Sequence, residues 1–223
     1  MIHALASLLC TALRAPTMAR PRFASSRAAV RASALSPVTV FSSKALEELL
    51  ITELNQKPFR LKQVREYVYN HGITDFDQMQ TLPKALRAQL RDAVRATSME
   101  VATEQESRDG TRKRLLRLHD GRLIESVLMP YADNRRTACI SSQVGCAMGC
   151  TFCATGQMGF KRDLTADEIF EQAALFSGEL TRKGERLSNV VFMGMGEPFR
   201  NYDAVFEAAG RIVKTLGVGA RHV

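Results

Sequence analysis

No apolar run in these 223 residues approaches the ~18 needed for a transmembrane helix, so no helical membrane span and no membrane partner is expected. Acidic residues are missing altogether from positions 1–43. Cysteine is missing after Cys153, and outside positions 139–153 it occurs once, at Cys10. Cysteines crowded into one short segment do not make the dispersed framework of a disulfide-stapled secreted domain; they read as ligands in a reducing compartment. No internal repeat or low-complexity stretch is evident after residue 43, and nothing points to a solenoid.

With 45% hydrophobic and 24% charged residues the chain is globular by composition and long enough for one or two domains. The net charge of +8 is uneven. Arg14, Arg20, Arg22, Arg27 and Arg31 stand among Ser and Ala in the acid-free start, and without these five the excess falls to +3. An Arg-rich, Ser-rich, acid-poor start has the composition of an organelle transit peptide. Val30-Arg31-Ala32 before Ser33 is similar to a plastid processing site. Residues 1–43 are therefore expected to be a disordered targeting segment, plastid in destination with the mitochondrion as alternative, and Cys10 within it has no expected role.

From Lys44 the pattern turns helical. Leu46, Leu49, Leu50 and Leu54 recur at helix spacing until Lys57-Pro58, and residues 60–70 and 82–96 read as two more short helices. Their polar faces are basic, so Arg60, Lys62, Arg65 and Arg91 are candidate RNA contacts, although such faces are commonly just solvated. Segments 112–118 and 122–129 form a hairpin across Asp120-Gly121, a favoured turn dipeptide, with Glu125 on its second strand. Thr137 to Ser141 is a strand, and Leu164 to Leu180 a helix opened by Thr165 with Glu168 as a capping box. Asn189 to Met193 is a strand, 202–216 a helix stopped by Gly217, and Arg221-His222-Val223 the start of a third strand. Alternating strands and helices make this α/β, with a parallel sheet whose site loops leave the strands' C-terminal ends. The expected divisions are 1–43, a small helical domain at 44–100, a hairpin and linker at 101–136, and the α/β part at 137–223.

The chemistry concentrates after the first of those strands. Cys146, Cys150 and Cys153 are spaced C-x3-C-x2-C. Structural zinc takes four ligands, usually as two C-x2-C pairs, and the second pair is missing. Three thiolates suit a [4Fe–4S] cluster with one iron left open for a substrate or cofactor. Gly194-Met195-Gly196-Glu197-Pro198 follows the next strand and should sit on the same rim.

The string Cys146-Ala147-Met148-Gly149-Cys150-Thr151-Phe152-Cys153 resembles the cluster motif of radical S-adenosylmethionine (radical SAM) enzymes. Joined to Cys139-Ile140-Ser141-Ser142-Gln143-Val144-Gly145, to Phe152-Cys153-Ala154-Thr155-Gly156, to Gly194 through Pro198, and to Lys57-Pro58-Phe59-Arg60 with Gln63, it resembles the RlmN/Cfr family of radical SAM RNA adenine methyltransferases. The resemblance covers about Lys44 to Val223. It implies a partial (β/α) radical SAM barrel behind the small helical domain and hairpin. It implies that Cys146, Cys150 and Cys153 hold the [4Fe–4S] cluster and that Phe152, Gly196 and Glu197 contact S-adenosylmethionine. Cys139 matches the family's resolving thiol and Glu125 a residue that removes the C2 proton, the second match being softened by one extra residue between the two. The implied reaction is methylation of C2 of an adenine in large-subunit ribosomal RNA, with transfer RNA a further substrate and a ferredoxin or flavodoxin as electron donor. A radical is required because C2, between two ring nitrogens, is too electron-poor to attack a sulfonium methyl.

The family also uses a second, methyl-carrying cysteine near its C-terminus, and no cysteine follows Cys153 here. At roughly 30 residues per βα unit, 137–223 holds about two and a half units, and the chain is expected to be truncated and inactive as it stands. Three alternatives stay open: C8 methylation as in the sister branch, a non-catalytic RNA-binding protein with zinc on Cys139, Cys146, Cys150 and Cys153, and a short isoform regulating a longer relative.

Overall fold

The structure, a computed structural model, describes residues 37–223. The arginine-rich segment through residue 36, with its expected processing site, lies outside the described residues. Residues 37–43 correct the expected boundary: Thr39 bridges Arg95, Val40 and Phe41 are buried, and Phe41 lies 6.5 Å from the Tyr69 ring. An apolar pair with a core to enter does not stay unfolded, so the packed chain begins before Lys44.

Helix α1 (Lys44–Glu48) runs into one π turn, Leu49–Glu53, which together bury Leu46, Leu49 and Leu50. Pro58 ends that run and also opens α2 (Pro58–Asn70), where its missing N–H would have had no partner anyway. Leu61, Val64 and Val68 form the buried stripe of α2, and Leu86 and Leu90 that of α3 (Lys84–Ala93).

Strands β1 (Met99–Glu106), β2 (Arg112–Leu118), β3 (Leu123–Pro130) and β4 (Arg136–Cys139) form an antiparallel meander. A small ladder, β5 (Gln143–Val144) with β6 (Arg162–Asp163), encloses a short helix, α4 (Ala154–Gln157). Then α5 (Ala166–Arg182) crosses over to β7 (Asn189–Val191), and α6 (Tyr202–Leu216) follows. The main sheet has the order β1-β2-β3-β4-β7, with β4 and β7 parallel. The hairpin and the α/β part therefore share one continuous sheet. The third strand expected from Arg221 is instead a 3-10 turn, Ala220–His222, which meets β7 through His222 and Asn189 (3.1 Å) and leaves Val223 packed against the core.

Helix α5 starts as its sequence requires. Thr165 accepts from the Glu168 N–H (3.2 Å) and Glu168 accepts from the Thr165 N–H (2.9 Å), satisfying two donors a helix start leaves free. Ile169, Phe170, Ala173 and Phe176 are buried beneath the sheet residues Leu116, Ile124, Leu128, Ala138 and Val190. Arg114 crosses this layer to Glu179 of α5 and Glu104 of β1, its guanidinium 4.8 Å from the Phe176 ring. The helical part joins the same core, Tyr69 meeting Phe170 edge-on at 5.9 Å.

One buried acid ties the helical part to α5. Glu171 accepts from the Ser98 N–H (2.7 Å), the Ser98 hydroxyl (2.8 Å) and the Thr97 hydroxyl. Burial pushes its pKa up to about 7 in spite of these bonds. Between its unfolded value near 4.5 and 7 the folded chain holds a proton that the unfolded chain has released, so stability falls as pH rises through that window. Glu171→Gln keeps an acceptor for Ser98 N–H and offers a donor to its hydroxyl. It should match or exceed the parent's Tm at pH 8 and lose this part of the dependence between pH 5 and 8. Glu171→Ala, which strands the Ser98 N–H, should cost about 1–3 kcal/mol. Thermal melts across pH check this, and equal losses for both variants at pH 8 would sink it.

Candidate active site

Parallel pairing of β4 with β7 sets Cys139 beside Val191, so the loops after both strands leave the same end of the sheet. Backbone and side-chain bonds then lace them together. The Gly194 N–H donates to Ile140 O (3.1 Å), and Met195 O accepts from the N–H groups of Ser142 (2.8 Å) and Gln143 (3.1 Å). The Met195 N–H donates to Ser141 Oγ (2.8 Å), whose hydroxyl donates to Glu125 O (2.6 Å). The Glu197 N–H donates to Gln143 Oε1 (2.9 Å), and Gln143 Nε2 donates to Asp163 (2.8 Å). Gly196 lies in this seam with φ +99°, and a Cβ there would stand 2.7 Å from the Gln143 nitrogen. The two loops read from sequence as one rim are one rim.

Cys139 and Glu125 also come together. Cys139 pairs with Val127 across β3–β4, and Glu125 lies two residues further along β3, so all three point from the same side of the sheet, away from α5. Burial raises the Cys139 thiol pKa, and the Met193 N–H directed at it partly offsets the rise. The Glu125 carboxylate is 2.9 Å from Lys113 Nζ, an ion pair on its strand neighbour.

Cys146, Cys150 and Cys153 all lie in the loop closed by the β5–β6 ladder, Cys146 buried and the other two half-buried. Cys153 receives hydrogen bonds from the Gly156 and Thr155 N–H groups and the Thr155 hydroxyl, which lower its pKa toward the thiolate a metal requires. Among the described residues no group of three or more His, Cys, Asp or Glu converges to hold one metal ion. The three ligands of a [4Fe–4S] cluster bind three different irons and stand further apart than ligands of one ion, so three free thiols on one loop, one of them already acidified, suit the cluster.

The remaining candidate residues have these surroundings. Phe152, in the cysteine loop, is 91% exposed. Glu197 Oε1 accepts from the Phe199 N–H (3.1 Å), capping its own turn. Of the basic candidates, Arg91 is paired with Asp77 (2.9 Å) and Arg60 with Gln63 (2.8 Å) over the Phe59 ring, whereas Lys62 and Arg65 share a pocket.

Sequence reading missed the polar residues that hold the rim. Gln172 of α5 clamps Ser141, accepting from its N–H (2.9 Å) and donating to its carbonyl (3.0 Å). Asn201 donates to the carbonyls of Ser142 (2.9 Å) and Leu164 (2.8 Å). A usable signal was Gln172 itself, an amide amid the apolar face of α5.

The comparisons agree with this geometry. Residues 39–95 match the family described as the ribosomal RNA large subunit methyltransferase N-terminal domain, and residues 140–221 match the radical SAM superfamily. The dual-specificity RNA methyltransferase RlmN of Oleidesulfovibrio alaskensis is 46% identical over 175 residues, covering 78% of this chain and 49% of that protein. The probable dual-specificity RNA methyltransferase RlmN of Geobacillus thermodenitrificans is 44% identical over 194 residues, covering 85% and 53%. A crystal structure of a radical SAM methyltransferase from Sphaerobacter thermophilus superposes with a TM-score of 0.76 at 39% identity, covering 83% of this chain and 55% of that one. The chain spans about half the length of the curated relatives it matches. Two family matches in order, the relatives' identity and a rim that joins the cysteine loop to the Gly-Met-Gly-Glu loop make this chain similar to the RlmN radical SAM proteins over about half of their length.

Proposed function

We propose that the chain carries the cluster loop, the cofactor rim and the RNA-facing helical part of a methyltransferase acting on C2 of an adenine in large-subunit ribosomal RNA, and also in transfer RNA. The observation that carries this reading is the lacing of Gly194–Glu197 to Ser141–Gln143, which fixes two site loops side by side above Cys139 and Glu125. The name its relatives share, dual-specificity RNA methyltransferase, supports the substrate class.

Cys146, Cys150 and Cys153 would hold the [4Fe–4S] cluster, which when bound supplies the single electron that cleaves S-adenosylmethionine. The chain's own residues do the rest. Gly196, lacking a side chain, lets the rim backbone close on Gln143, and the second oxygen of Glu197 is free of its capping bond and can accept from the cofactor's ammonium. Glu125, whose main-chain carbonyl accepts from the Ser141 hydroxyl, can take a proton once Lys113 swings aside, because its ion pair is half-exposed and exchanges with water. Cys139 is shielded and largely protonated until a base draws its proton, which suits a thiol that acts late, by attack on a neighbouring sulfur. No cysteine follows Cys153 in these 223 residues, so the methyl-carrying thiol used by the family is not among them. The arginine-rich, acid-free start supports delivery to the plastid, with a ferredoxin or flavodoxin there as reductant.

Disrupting the gene and digesting plastid and mitochondrial ribosomal RNA separately for mass spectrometry tests the reading. The expected result is loss of 2-methyladenosine from the plastid pool. Loss of 8-methyladenosine instead, or no loss of either nucleoside, would overturn it.

A further inference from the structure

A cavity of about 480 Å³ opens between α2 and α6, well away from the cysteine loop. From α2 it takes Lys62, Arg65, Glu66 and Tyr69, which share one helical face at i, i+3, i+4 and i+7; from α6 it takes Arg211 and Lys214. Four cations thus face one carboxylate. Arg211 is a fixed part of the floor: its guanidinium lies 4.0 Å from the Phe170 ring centre and donates to Asp167 (2.5 Å) and to Phe41 O (2.6 Å). Arg65 has a long contact to Glu47 (3.8 Å). Lys62 and Lys214 have no ion-pair partner among the described residues. The lining is mostly polar, and its one aromatic residue is the partly buried Tyr69.

We propose that this cavity is a phosphate-binding site that takes the sugar–phosphate backbone of the RNA substrate away from the reacting adenine. The inference rests on the RNA reading above and deepens it. Two cationic ammonium groups that α2 and α6 hold apart, over a fixed guanidinium, match the charge of a phosphodiester chain rather than any base edge. Lys214 lies some twelve residues along α6 from the rim, or about 18 Å at the helical rise, so the site would anchor RNA beyond the reach of the catalytic loops. Of the four basic residues singled out in the sequence, Lys62 and Arg65 belong to this site and Arg60 and Arg91 do not; Arg211 and Lys214 complete it.

The test is fluorescence anisotropy of the full chain with a labelled RNA hairpin of roughly 20 nucleotides, titrated at several salt concentrations. K62A/K214A should weaken binding about tenfold or more and flatten the slope of log affinity against log salt by about 1 to 2, the loss expected for one or two phosphate contacts. K84A/K183A, with the same charge removed elsewhere, should stay within about twofold, and E66Q should tighten binding by about twofold. The lysines are exposed, so a melt confirms that the variants fold. Tight binding by the parent with an unchanged K62A/K214A would overturn the cavity while leaving the RNA reading intact. Failure of the parent to bind RNA at any salt would overturn both. A parent stabilised by millimolar inorganic pyrophosphate through these lysines, with no competition against RNA, would assign the cavity to a free anion and overturn the backbone site.

Discussion

Replacing Cys150 with alanine is expected to empty the loop of iron. After anaerobic reconstitution the parent should hold about four irons and four sulfides per chain with brown absorbance, and Cys150→Ala should fall below about one iron. Cys150 is half-buried, so its loss removes a ligand without opening the core, and two thiolates are too few to hold a cluster against chelation. Cys153→Ala should behave alike, since it also deletes the thiol that Gly156 and Thr155 hold toward its anionic form. The decisive companion is Cys139→Ala. Cys139 sits on β4, beside Val127 and Val191 and outside the loop, so its removal should leave the iron content unchanged. Iron lost equally from Cys139→Ala, or zinc bound in place of iron, would mean that four cysteines share one site, and the cluster reading would fall.

What could be read from sequence was local or repeated. Thr165 and Glu168 lie three residues apart and form their capping box without help from the fold. Asp120-Gly121 makes its turn between β2 and β3, and Gly217 stops α6 in a left-handed conformation. The cysteine spacing and the Gly-Met-Gly-Glu turn carry their chemistry within a few residues. What could not be read depends on neighbours distant in sequence. Strand β1 escaped because seven of its eight residues are exposed, so this charged edge shows no buried alternation. Arg91 looked free for RNA until Asp77, fourteen residues away, proved to hold it. Lys214 carried no signal at all, because only the fold brings α6 to the same cavity as α2. Gln143, Gln172 and Asn201 are buried amides whose partners lie 20 to 59 residues off, and no periodicity reports such bonds. Thr39 to Phe41 were assigned to the tail for the same reason: their composition matches it, and only their contacts with Arg95 and Tyr69 set them apart.

Gly145→Ala should abolish cluster loading while leaving most of the fold standing. Gly145 has φ +74°, in the region that costs an L-residue on the order of 1 kcal/mol, and its backbone lies directly against that of Gly159 across the mouth of the cysteine loop. An added Cβ would overlap the Gly159 carbonyl oxygen, and both sides of that contact are main chain, so no side chain can rotate away. The contact is held by the two-pair β5–β6 ladder and by the Lys161 N–H bond to Val144 O (2.9 Å). Opening that ladder is the cheapest relief, and it lets the two ends of the loop part. The main sheet and α5 need not move, so Tm should drop by only a few degrees, as for about 1–3 kcal/mol of overpacking. Iron per chain should fall by about tenfold or more, and protease should cut between residues 146 and 158 before it cuts elsewhere. Gly159→Ala supplies the comparison. Its φ is +70°, yet a Cβ there meets nothing within 4 Å, so it carries the conformational cost without the clash. It should load iron almost as the parent does. If Gly145→Ala keeps its iron, or if Gly159→Ala loses it equally, close packing of the two backbones is not what gathers the three cysteines.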